Sequence, residues 1–281
     1  MMTKYLSVLL LLVGGLMFSC QSKQGANATG AAETPAPQAG TSQALAFQPQ
    51  SVVRRQENCP GDSCATVDLQ YLVARGGPTP LRDSLNQYVQ DFLLRLQLTN
   101  NPDADLSPQE NAAEAVATVF LQEQAAFRKE FPDAGARAGW YLKVAMEPVH
   151  QTPALVSLQL QSEGYSGGAH GYAVTTLQSF DSTGHALRLH ELAPDTVQLR
   201  KLVEQEFRNV RQLGAESFEQ QGFYTQNGHL PFPQNAALTP KGLLLYYNAY
   251  EVNAYAFGPT QLLLPYAQIN QLLAPRFRPQ P

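Results

Sequence analysis

The chain lacks a basic cluster. Its 19 Lys and Arg are interspersed with 23 Asp and Glu, for a net charge of −4. A nucleic-acid surface needs Lys and Arg gathered on one face, so no nucleic-acid partner is expected. Histidine is sparse as well, with five in 281 residues: His150, His170, His185, His190 and His229. His185 and His190 do not stand at a recurring metal spacing, and on a strand over 185–191 they would point to opposite faces. The pair His190-Glu191 lacks the second histidine of H-E-x-x-H. No metal and no cofactor is therefore expected.

Long apolar runs are missing except for one. Leu6 to Phe18 is almost unbroken, follows Lys4 and ends in "LMFSC". At about a dozen residues it falls short of the roughly 20 that span a bilayer as a helix. It has the length of a signal-peptide core. Ser19-Cys20 at its end resembles a bacterial lipobox, in which the cysteine is acylated and becomes the new N-terminus. A plain secretory signal is the alternative. The stretch after Cys20, "QSKQGANATGAAETPAPQAGTSQA", holds no large apolar residue and cannot offset its own ordering entropy. Residues 1–20 thus read as a lipoprotein signal peptide with Cys20 lipidated, and 21–50 as a flexible tether. No acidic residue follows Cys20 directly, which favours a lipid-anchored, periplasm-facing place at the outer membrane of the cell envelope. With no other apolar run, no cytoplasmic part is expected.

Cysteine is scarce, at three residues. Cys59 and Cys64 lie in "CPGDSC", where Pro60 and Gly61 favour a turn that brings the ends to disulfide distance. A structural disulfide suits an exported protein. A metal site would need further ligands, and a redox pair usually has the C-x-x-C spacing.

What is present reads as α+β. "TVDLQYLVA" (66–74) alternates as a strand. A helix follows with Thr79 as N-cap, Pro80 at its first position and a face of Leu81, Leu85, Tyr88, Val89, Phe92, Leu93 and Leu96. A second helix opens at Ser107, where Ser107 and Glu110 have capping-box spacing, and carries Val116, Val119, Phe120, Phe127 and Phe131. The period then changes from 3.6 to 2. Residues 140–149, 154–164 and 172–181 alternate, and their short links require antiparallel neighbours. A third helix runs from about 194 to 213, and a long loop covers 215–237. The strands "GLLLYYNAYEV" and "TQLLLPY" and a short helix close the chain. The expected fold is an antiparallel sheet of about five to seven strands packed with two to three long helices. It divides into an N-terminal subdomain over 51–137, a C-terminal one over 138–275 and a tail over 276–281.

Two clusters carry chemistry. "YSGGAHGY" (165–172) joins two strands with more glycine than a two-residue turn needs. Gly167, Gly168 and Gly171 permit positive φ or a close approach to the backbone. His170 reads as a ligand-binding group, an acid–base group or the pin of a bulged hairpin. Ser166 lacks the strand–elbow–helix context of a nucleophile. The second cluster, "YYNAYEVNAYAFGP" (246–259), places Tyr250, Glu251, Tyr255 and Gly258 on one strand. Aromatic faces beside polar groups suit sugar rings, although tyrosine is also an ordinary strand former.

In their order and spacing, "YSGGAHGYAVTTLQSFDSTGHALRLHEL" and "LTPKGLLLYYNAYEVNAYAFGPTQLLLPYAQINQLL" resemble the C-terminal part of the RsiV-like extracellular domain family. The preceding disulfide, strand and "LRDSLNQYVQDFL" helix resemble the domain paired with it, which also precedes the catalytic domain of PdaC-type peptidoglycan deacetylases. The likeness covers about 55–275. It implies an envelope-side accessory module that meets lysozyme or cell-wall glycan. The chain is expected to depart from both groups, with neither a cytoplasmic sigma-factor segment nor room for a deacetylase domain. The resulting expectation is a non-catalytic module that binds a peptidoglycan fragment or a wall-acting protein such as lysozyme. Its site would comprise Ser166, Gly167, Gly168, His170, Gly171, Tyr250, Glu251, Tyr255 and Gly258. The alternatives are an enzyme on wall carbohydrate with His170 and Glu251 as acid and base, and a structural envelope protein.

Overall fold

Alternation of apolar and polar residues makes six strands here, and the computed structural model joins them into one sheet. It describes residues 44–279 except 58, 60–63 and 133–138. The expected signal segment, Cys20 and the tether up to residue 43 lie outside the described residues. Strands β1 (Ala46–Arg55), β2 (Thr66–Arg75), β3 (Tyr141–Gln151), β4 (Leu155–Tyr165), β5 (Tyr172–Asp181) and β6 (Ala186–Leu187) lie in sequential order across the sheet. All neighbours are antiparallel except β2 and β3, which are parallel. That pair needs a long crossover, and α1 (Thr79–Arg95) and α2 (Ala112–Glu130) provide it. The sheet therefore runs through the subdomain boundary expected at 137/138.

The even-numbered face of β3 and β4 carries Leu142, Val144, Leu158 and Leu160, all buried under α1 and α2 with Leu85, Val89, Leu93, Val116 and Phe120. Burying a large aliphatic side chain contributes about 1.5–3 kcal/mol, so this cluster dominates the N-terminal half. The odd-numbered face meets a second, three-stranded antiparallel sheet: β7 (Asn235–Thr239), β8 (Gly242–Tyr247) and β9 (Thr260–Pro265). Two buried serines join the sheets. Ser179 Oγ lies 2.7 Å from Ser157 Oγ and accepts from the Leu238 N–H at 3.2 Å. On the other side of the small sheet, α4 (Thr196–Arg211) buries Leu199, Val203 and Phe207 against Leu243, Leu245 and Leu262. Cys59 and Cys64 form a disulfide at the β1–β2 turn, with Cα atoms 5.4 Å apart.

The architecture is mixed α+β, as the periodicity indicates. Several local expectations change. Strand β1 takes residues 46–50 from the expected tether. Helix α1 has Pro78, not Thr79, at its N-cap. Helix α2 starts later, with the Asn111 side chain capping the Glu114 N–H, while Ser107 turns back to Asp105. His190 sits on the single-turn helix α3 (Leu189–Leu192), not on a strand, and His185 pairs with Glu191 at 2.9 Å. The tail expected from 276 holds buried Phe277. Among the described residues no helix is long and apolar enough to cross a membrane, and no group of three or more His, Cys, Asp or Glu side chains is placed to hold a metal ion.

Candidate functional site

The hairpin loop between β4 and β5 is shaped by four glycines in two ways. Gly167 and Gly168 have φ of 99° and 87°, which an L side chain adopts at a cost. Gly164 and Gly171 are there for contact. A Cβ on Gly171 would lie 2.8 Å from Gly164 O and 3.1 Å from Tyr141 Oη, and one on Gly164 would meet the Tyr172 ring at 2.8 Å. Tyr165 Oη donates to Gly168 O at 3.1 Å and closes the turn. Ser166 is half-buried and its hydroxyl plays no part in the cluster described next.

The loop presents His170 to the second cluster. The imidazole stacks on the Tyr255 ring, with centroids 3.9 Å apart and planes 14° from parallel. Tyr250 lies against Tyr255 at 5.5 Å. A carbonyl only accepts, so His170 Nδ1–H donates to Gly171 O at 2.8 Å. In the neutral imidazole this leaves Nε2 to accept from Tyr250 O–H at 3.4 Å. Tyr255 O–H donates to the same Gly171 carbonyl at 2.9 Å. The three rings are fixed to one another and remain exposed, Tyr250 at 58% and Tyr255 at 36%. Phe257 adds a fourth exposed ring at 52% and leans on buried Phe223.

The segment carrying Tyr250, Glu251, Tyr255 and Gly258 is not a strand. Strand β8 stops at Tyr247, a turn follows from Asn248 to Glu251, and Tyr255–Phe257 form one turn of 3₁₀ helix. Tyrosine forms strands readily, but here Asn248 ends the ladder. Its side chain accepts from the Thr175 N–H at 2.8 Å and donates to Thr175 O at 3.0 Å. Strand β6 pairs only Ser179 and Phe180, so the Asn248 amide takes the place of a strand on the open edge of β5. Tyr250 then adopts φ 71°, a conformation usual for glycine or asparagine. Gly258 has φ 68° and ends the 3₁₀ turn.

Glu251 does not join the rings. Its carboxylate accepts from Asn248 Nδ2 at 3.1 Å and, at 3.5 Å, from Asn235 Nδ2. Partial desolvation there raises its pKa, and the hydrogen bonds from Asn248 oppose the rise. The structure therefore brings His170, Gly171, Tyr250 and Tyr255 together and assigns Glu251 to holding Asn248.

A carboxyl whose folded pKa lies above its unfolded value lowers stability once the pH passes the unfolded value, near 4.5. Both states are protonated below that point, and the penalty is complete above the folded value. Glu251→Gln keeps an acceptor for Asn248 and removes the charge. The variant is expected to match the wild type in urea unfolding below pH 4.5 and to be the more stable protein at pH 7.

Sequence reasoning overlooked Arg211. At the last position of α4 it resembles an ordinary basic helix end. Its guanidinium donates to Phe257 O at 3.0 Å, Gly258 O at 3.1 Å and Thr260 Oγ1 at 2.8 Å. Arg211 thus fixes the segment that carries Tyr255. No sequence signal marks a contact spanning 46 to 49 residues.

Comparison with known proteins agrees with this architecture. The family model described as "Protein of unknown function (DUF3298)" matches residues 193–267, which contain α4, the three-stranded sheet and the Tyr250–Gly258 segment. No curated protein matches the chain. A crystal structure of a DUF3298 family member from Bacteroides fragilis superposes with a TM-score of 0.63 at 20% identity, covering 84% of this chain and 96% of its own. A DUF3298 family protein from Pseudomonas aeruginosa gives a TM-score of 0.58 at 21% identity, covering 85% and 99%. The fold is the one these two proteins share, and residues 193–267 carry the DUF3298 pattern.

Proposed function

We propose that this chain is a non-catalytic module that binds cell-wall glycan on the envelope side of a lipid-anchored protein. One observation carries the reading: the exposed ring cluster of His170, Tyr255 and Tyr250, fixed through Gly171. Exposed aromatic side chains normally lose rotamer freedom on binding, and that loss weakens affinity. Here the rings are already immobilised by each other and by a backbone carbonyl. An immobile aromatic face with phenol hydroxyls at its margin suits a sugar ring, whose C–H face stacks and whose hydroxyls hydrogen-bond.

The direct test is calorimetric titration of the full chain with soluble peptidoglycan fragments. Saturable binding that Tyr255→Ala removes supports the reading. Absence of heat with a folded protein overturns it. Binding to a C-type lysozyme in place of glycan would move the site to protein recognition. The arrangement gives less support to an enzyme using His170 and Glu251, because the carboxylate is held by two asparagines and makes no hydrogen bond to the imidazole.

A further inference from the structure

The small sheet covers only part of the odd-numbered face of the large one. The rest is an open groove of about 450 Å³. Its floor crosses four strands, with Gln70 on β2, Lys143 and Ala145 on β3, Gln161 on β4 and Ala173 on β5. Tyr246 of β8 lines it from the second sheet. Neighbouring strands are about 4.8 Å apart, so the floor is about 14 Å across, longer than a single sugar ring.

The chemistry of this floor is specific. Its charged side chains are engaged within the floor, one cation to two carboxylates: Lys143 Nζ lies 2.9 Å from Glu163 Oε1, and Asp68 accepts from Gln70 Nε2 at 2.6 Å. Gln70 and Gln161 each carry both a donor and an acceptor, and Ala145 and Ala173 leave the depression. Such a surface offers hydrogen bonds in both directions, and its one excess carboxylate disfavours an anionic ligand. The half-buried Tyr246 ring adds an aromatic wall.

The groove and the ring cluster are continuous through the chain. On the floor, Ala173 is three residues from His170, a span of about 10 Å of extended chain. On the wall, Tyr246 is four residues from Tyr250. Thr175, which also lines the groove, holds Asn248 between the two. Asn235, opposite Tyr246 in the β7–β8 ladder, reaches Glu251.

We infer that the groove is an extension of the ring-cluster site, and that the ligand is a linear, uncharged oligosaccharide several units long, with its end on His170, Tyr250 and Tyr255 and its body across the sheet beside Tyr246. This rests on the glycan reading given above. A site built only from the rings would bind a terminal sugar, whereas the two regions together bind a chain.

The test is titration of the full chain with β-1,4-linked N-acetylglucosamine, from the single sugar to the hexamer. Affinity is expected to rise with length by about tenfold or more between disaccharide and hexamer. Tyr246→Ala is expected to remove that rise and leave the disaccharide affinity unchanged. Ala145→Trp fills the groove from an exposed position without removing any core atom, and should do the same. Tyr250→Ala should weaken every length. Affinity independent of length in the wild type overturns the groove and leaves the ring site standing, as does a length dependence that survives Ala145→Trp. Absence of binding at any length overturns both.

Discussion

Asn248→Ala is expected to destabilise the protein by about 3 kcal/mol in urea unfolding. The variant leaves the N–H and C=O of Thr175 without partners. Thr175 is 5% exposed, so water cannot fully replace the lost amide. A buried backbone group left unpaired costs about 1–3 kcal/mol, and two are orphaned together. The same change deprives Glu251 of the hydrogen bonds that oppose its desolvation. Asn248→Asp should be nearly as damaging at neutral pH, because a carboxylate can accept from Thr175 N–H but repels both Thr175 O and Glu251. A loss below about 0.5 kcal/mol would mean that the amide bridge to β5 does not hold the second sheet in place. The loop bearing Tyr250 begins at this residue, so ligand binding should fall together with stability.

Tyr250→Gly is expected to separate the two properties. Tyr250 has φ 71° and is 58% exposed. A left-handed conformation costs an L residue about 1–2 kcal/mol, and glycine relieves it. Greater freedom of glycine in the unfolded chain offsets part of that gain, and little buried surface is lost. The free energy of unfolding should stay within about 0.5 kcal/mol of the wild type or rise, while glycan affinity falls by about tenfold or more. Strain retained at an exposed aromatic is hard to explain by packing, and it occurs where a side chain must be displayed. Unchanged affinity in Tyr250→Gly would make the ring an ordinary surface residue.

Some of this was legible in the residues. Strand β5 is bounded by Gly171 and by the turn at Ser182–Gly184, with clean alternation between, and its limits could be read directly. So could the helical face of α1, where Leu81, Leu85, Val89 and Leu93 are buried. The segments that escaped share a cause. In β1 only Val52 is buried and Pro49 interrupts the edge, so it has the composition of a tether and is ordered by its pairing with β2. The Ser107-Glu110 spacing imitates a helix start, but Asn111 wins because its side chain reaches the Glu114 N–H. After Tyr247 the run of tyrosines reads as strand, while the chain turns at Asn248 because that amide bonds a residue 73 positions away.

The candidate site was half legible. Excess glycine marked the 165–172 loop, and aromatic density marked 246–259. That His170 would lie on Tyr255, 85 residues on, depends on the packing of two sheets and has no local signal; the bond from Asn248 to Glu251 spans only three residues but forms because the chain turns at Asn248. Arg211 went unnoticed for the same reason.

Whether the ring cluster binds glycan is decided by a pair of titrations on the full chain, one with a soluble peptidoglycan fragment and one with a C-type lysozyme, each repeated with Tyr250→Gly. Saturable heat is expected with the glycan, and the variant should lose it while staying folded. Heat with lysozyme alone, or glycan binding indifferent to Tyr250, would contradict that expectation.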